Sequence, residues 1–164
     1  MSNSILVPLD GSAHAERALP YASGQAGAGG KSLVLLRVLT PRPPRGEELV
    51  HVDAVGAHLN VVAEGLRSQG LTVETVVSSA LGGPVAPVIT AVAQRHSCEL
   101  IVMSTHGRSG PGRWLYGSVA EDVLRTAPIP VLLVPPTTEP VWRTEGRPRV
   151  LVSLDGSPAA EEAA

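Results

Sequence analysis

Five short apolar runs punctuate this chain, at residues 4–9, 32–39, 71–77, 100–103 and 131–134, with helix-period segments between them. A strand that is apolar along its length needs cover on both faces, and alternation with helices supplies it. Such a βαβ succession implies right-handed crossovers and one open parallel sheet with helices on both faces, an α/β fold. The core has to be aliphatic: apolar residues make up 43% of the 164, yet there is no Phe and only two Tyr and two Trp. Val, Leu, Ile and Ala suit a parallel sheet under close-packed helices.

Local signals mark the helix ends. Ser12 is placed to N-cap a helix starting near Ala13, with Ala15, Ala18, Leu19 and Ala22 on one face. Pro20 falls inside that pattern and costs about 3 kcal/mol in an unrelieved helix, so a kink is expected there. The Gly/Ala-rich residues 24–30 are expected to end this helix, and 40–46 form a Pro/Arg-rich loop. Val52, Val55, Leu59, Val62, Ala63 and Leu66 recur at helical spacing over 48–69, closed by Gly70. Gly83-Pro84 opens the next helix, whose apolar set is Val85, Val88, Ile89, Val92 and Ala93, with Pro87 in its first turn.

After Val134 the composition turns to Pro and Thr, and residues 150–164 (VLVSLDGSPAAEEAA) then restate 5–19 (ILVPLDGSAHAERAL). A repeat at domain length indicates tandem domains. The expected organisation is a complete domain at 1–136, a linker at 137–148, and at 149–164 the first strand and start of the first helix of a truncated second copy.

A net charge of −2 provides no basic field for nucleic acid or anionic membrane. Cys98 is the only cysteine, so no intramolecular disulfide forms, and a packing thiol is expected there. No run approaches the roughly 18 apolar residues of a membrane span, and no signal-peptide pattern opens the chain. The expectation is a soluble cytoplasmic protein.

The chemistry-bearing stretch is 99–134. Its strand feeds a loop holding His106, Gly107, Arg108, Gly110, Gly112 and Arg113, and Gly117-Ser118 then leads into a helix. Glycines let the backbone approach a ligand, and a helix start offers unpaired N–H groups with about half a positive charge, a setting for phosphate. Ser118-Val119-Ala120-Glu121 also fits a capping box, which needs no ligand, and the residues leave both readings open. This is no Walker A loop, since no Gly-Lys-Ser/Thr follows the glycines and Lys31 is the only lysine. Asp10-Gly11-Ser12 after the first strand suits either the ligand crevice of an open sheet or a plain turn and N-cap. Arg108 and Arg113 suit phosphate oxygens or solvent. His14, His51, His58, His96 and His106 show no metal-ligand spacing, and only His106 sits in the loop. No nucleophile–base pairing or carboxylate pair stands out, so no catalytic residue and no metal site are expected. Asp10 is the one carboxylate placed to help hold a metal on a nucleotide.

With these residues assembled, the chain resembles the universal stress protein family over residues 1 to about 136. ILVPLDGS resembles the family's first strand and loop. VMSTHGRSGPGRWLYGSVAEDVLRTAPIPVLLV resembles its signature of Gly, two residues, Gly, nine residues, Gly-Ser/Thr. The resemblance implies a Rossmann-like, adenine nucleotide alpha hydrolase-like fold with strand order 3-2-1-4-5, and a stress-response regulatory module that binds ATP with Mg2+. It implies that Pro8, Leu9 and Asp10 contact the nucleoside and that Val38 meets the adenine. Met103 and Ser104 would line the ribose side. Gly107, Gly117, Ser118 and Val119 would hold the phosphates, with Arg108 beside them. One position departs from the signature: its first glycine is Ser104 here. The family associates through its fifth strand, which implies a homodimer. A ligand-independent dimerisation or scaffolding module and a slow ATPase are the competing readings.

Overall fold

The structure, a computed structural model, describes residues 4–40, 48–105 and 117–135. The elements in order are β1 Ser4–Pro8, α1 Ala13–Glu16, α2 Leu19–Gly29, β2 Ser32–Leu39, α3 Glu48–Arg67, β3 Val73–Ser79, α4 Ala86–Arg95, β4 Cys98–Ser104, α5 Ser118–Thr126 and β5 Val131–Val134. All strand pairs are parallel, in one sheet ordered β3-β2-β1-β4-β5. This is the architecture implied by the alternation and by the resemblance.

β1 lies at the centre, and Ile5, Leu6 and Val7 are fully buried. Successive strand side chains point to opposite faces, and the core divides accordingly. Ile5, Val7, Leu33 and Leu35 pack with Ala15, Ala18, Ala22 and Ala26 of the first helices and with Leu59, Ala63 and Leu66 of α3. Leu6, Val34, Leu36, Ile101 and Met103 pack with Ile89, Val92 and Ala93 of α4 and with Ala120 and Val123 of α5. Ala18, Ala22 and Ala26, four residues apart, form one stripe along a helix. Their small side chains let α2 lie close to the sheet, which suits a core without Phe.

Ser12 caps α1 as expected, its side chain accepting from the Ala15 N–H at 3.1 Å. The helix around Pro20 differs from the expectation of a kink. It breaks, α1 ending at Glu16 and α2 starting at Leu19 with Pro20 in its first turn. Proline is tolerated there because a first-turn nitrogen has no intrahelical partner to lose. Residues 24–30 do end the helix, at their far limit: α2 runs to Gly29, with Ala22 and Ala26 buried, and stops at left-handed Gly30. β3 lies two residues later than the periodicity suggests. Gly70 takes φ +87 and the Leu71 N–H bonds the Leu66 carbonyl at 3.3 Å, so Leu71 belongs to the cap of α3.

Cys98, at the start of β4, is buried. Desolvation first, and the Glu74 carboxylate second, push its thiol up from 9.0 to about 11. The folded chain therefore keeps this proton where the unfolded chain releases it, so stability falls as pH rises from 9.0 towards 11. At neutral pH a thiol reagent is expected to label Cys98 far more slowly in the native protein than in urea. Equal labelling rates would contradict its burial.

Candidate functional site

In this sheet the chain winds outward from β1 through β2 to β3, then crosses back to β4 on the other side of β1. The winding therefore reverses between β1 and β4, and a crevice is expected outside their carboxyl ends. The register shows how it opens. β1 pairs with β2 through Pro8 but with β4 only as far as Leu6, opposite Ile101, whereas β4 continues to Ser104 beside β5. Main-chain groups of a parallel strand point alternately to its two neighbours. The Leu9 N–H bonds the Leu36 carbonyl of β2 at 2.8 Å, so the Pro8 nitrogen faces β4. Proline has no hydrogen to donate there, and the two strands part.

Asp10 begins the turn beyond β1. Its Oδ1 accepts from the Ser12 N–H at 2.9 Å and from the Ser12 hydroxyl at 2.5 Å. Gly11 takes φ +76, and Ser12 starts α1. The turn-and-cap reading of Asp10-Gly11-Ser12 is thus realised, and it sets the half-buried Asp10 at the crevice. Val38, next to last in β2, is half-buried against the α4/α5 side of the core. Met103 is a core side chain on that same side, and Ser104 is half-buried at the end of β4.

The chain re-enters the described structure at Gly117, with φ +70 and ψ 144. A Cβ there would lie 2.7 Å from the Thr105 carbonyl oxygen, so glycine lets the start of α5 press against the end of β4. Thr105 is fixed in turn, its N–H bonding the Val134 carbonyl at 3.1 Å. The capping-box reading of Ser118 is corrected. Gly117 is the N-cap, and its carbonyl takes the first helical bond, from the Glu121 N–H at 3.0 Å. Ser118 is therefore the first helical residue, and Glu121 falls one place too far along for the box. Its carboxylate meets Arg125 at 3.4 Å instead. The N–H groups of exposed Ser118, half-buried Val119 and buried Ala120 precede the helical ladder.

Pro8, Leu9 and Asp10 at the end of β1, Met103 and Ser104 at the end of the neighbouring β4, and Gly117, Ser118 and Val119 at the start of α5 all lie towards the carboxyl end of the sheet, and Val38 lies one strand away on β2. Gly107 and Arg108, with His106, Gly110, Gly112 and Arg113, lie outside the described residues. Arg37, which belongs to no sequence motif, also reaches this end of the sheet, its Nη1 donating to the Leu9 carbonyl at 3.4 Å. Its signal in the sequence is a lone cation in the apolar run SLVLLRVL. His58 and His96 meet Glu16 and Glu74 at 3.4 and 3.1 Å, and no cluster of three metal-ligating side chains occurs among the described residues.

Replacing Gly117 by Ala should cost about 1–3 kcal/mol in urea unfolding, because the methyl meets the Thr105 carbonyl and the positive φ strains any L side chain. An alanine variant as stable as the parent would refute this close approach.

The universal stress protein family profile matches residues 1–135. A universal stress protein of Thermus aquaticus is 34% identical over 138 residues, covering 82% of this chain and 99% of that protein. A solved universal stress protein from Archaeoglobus fulgidus has a TM-score of 0.67 at 26% identity, with 81% of this chain and 98% of the other covered. Another structure from that organism, in complex with dAMP, has a TM-score of 0.62 at 22% identity, with 81% and 97% covered, a likeness of fold. No described helix is long and apolar enough to cross a membrane. With the family profile matching residues 1–135 and the Thermus aquaticus relative 34% identical over most of both chains, the chain belongs to the universal stress protein family.

Proposed function

We propose that this chain is a stress-response regulatory module, acting in the cytoplasm, that binds ATP in the crevice between the carboxyl ends of β1 and β4. The observation that carries the reading is the start of α5. A helix whose N-cap has no side chain, with Ser118 exposed at its first position, is set against the end of β4 beside the opening crevice. First-turn N–H groups and the helix dipole favour a phosphate there. Loss of the capping box supports it, since Ser118 no longer has a ligand-free role as the cap.

In this reading Pro8, Leu9 and Asp10 hold the nucleoside from the β1 side, Val38 gives the adenine an apolar wall, and Met103 and Ser104 border the ribose. Gly117, Ser118 and Val119 take the phosphates together with Gly107 and Arg108. Mg2+ arrives with the triphosphate, and Asp10 is the carboxylate at hand. The dAMP complex of a fold neighbour agrees with an adenine nucleotide. No residue is assigned to hydrolysis, and the output is nucleotide occupancy. The apolar edge strand β5, paired only with β4 among the described residues, joins two copies into a homodimer. Residues 149–164 are read as the opening of a second copy. A ligand-independent scaffolding module is the second reading, favoured by Ser104 where the family signature has glycine.

Isothermal titration of the full chain with ATP–Mg2+ should give saturable heat; its absence at high concentrations would reject ATP and leave the scaffold. Ser118→Ala should weaken binding roughly three- to tenfold while stability stays within about 0.5 kcal/mol. A stability loss with unchanged affinity would make Ser118 a cap after all.

A further inference from the structure

The geometry points to Arg37 as a positioning residue that locks the Leu9–Ser12 turn into its ligand-ready shape, an inference whose functional half rests on the nucleotide reading above. Arg37 is on β2, on the face that carries Leu33 and Leu35 and that the first helices cover. It comes 28 residues after Leu9, and its Nη1 donates to the Leu9 carbonyl at 3.4 Å. The end of the same guanidinium lies beside Gly11. A Cβ built there would meet Nη1 at 2.9 Å and both Cζ and Nη2 at 3.4 Å. Gly11 at φ +76 is thus a glycine by its backbone conformation, and the guanidinium end lies where a Cβ would project.

The turn is held from two sides. From within, Asp10 Oδ1 gathers the Ser12 N–H and hydroxyl. From outside, the fork of Arg37 holds the carbonyl before Asp10 and covers the residue after it. A planar guanidinium can do both at once, which an ammonium cannot. Asp10 is the residue that the nucleotide reading uses on this side of the crevice. Arg37 therefore acts through it, without touching the ligand.

The test uses the full chain as wild type, Arg37→Met, Asp10→Ala and the double variant. In nucleotide-free protein, Arg37→Met should speed hydrogen exchange at the Ser12 amide roughly five- to tenfold, with a smaller change in the core strands. Unchanged exchange at Ser12 overturns the lock whether or not ATP binds. In titrations with ATP–Mg2+, Arg37→Met should weaken binding about tenfold, and the double variant should bind no more weakly than Asp10→Ala alone. Full additivity would overturn action through Asp10. If the wild type takes no ATP while Ser12 exchange still rises in Arg37→Met, the lock stands and the nucleotide reading fails. Should Arg37→Met not fold, Arg37→Lys replaces it. Lysine keeps a donor but not the guanidinium atoms beside Gly11, so intermediate exchange and affinity are expected, and wild-type values in both overturn the proposal.

Discussion

Pro8 has no amide hydrogen to offer β4, and the opening between β1 and β4 follows from that gap in the ladder. β1 is the central strand, fully buried at Ile5, Leu6 and Val7, with partners on both edges. Proline would be costly earlier in such a strand, where it would remove a bond flanked by others. At the last position it costs little and has a directional effect. Pairing with β2 continues, the Leu9 N–H reaching Leu36, while pairing with β4 stops. The sheet therefore splits on the side where its winding reverses, and a topological tendency becomes an opening between two named strands.

What borders the opening is fixed by close approaches more than by side-chain reach. Gly117 sits against the Thr105 carbonyl on the β4 side, and Gly11 lies under the Arg37 guanidinium on the β1 side. Both glycines have positive φ and both stand at the start of a helix, Gly11 just before the cap of α1 and Gly117 as the cap of α5. In each case a tertiary contact occupies the place of the missing Cβ. The alanine stripe of α2 applies the same device to the core, where small side chains seat a helix closely on a sheet of Val, Leu and Ile.

Local signals in the sequence carried further than tertiary ones. The Ser12 cap, the bounds of β2 and β5, and the inward set of α4 rest on neighbouring residues or one periodicity, and they appear in the structure as read. The misses have a common cause. Leu71 looks like strand until the α3 cap claims its N–H. Ser118 looks like a cap until burial of Ala120 and Val123, together with the Thr105 contact, moves the helix start back to Gly117. Arg37 stood out only as a lone cation in an apolar run, and its role was not readable because its partners are 26 and 28 residues earlier in the chain.

The Ser104 departure is also clarified by strand parity. Ile101 and Met103 belong to the α4/α5 side of the core and Val102 to the opposite side. Alternation then sends Ser104 to the side of α1, the side that carries Leu9 and Arg37. The added side chain thus stands on the wall shared with the β1 turn, while the start of α5 lies across the sheet. In the proposed site, whatever the serine alters therefore lies on the α1 side, and the start of α5 keeps the geometry that Gly117 gives it.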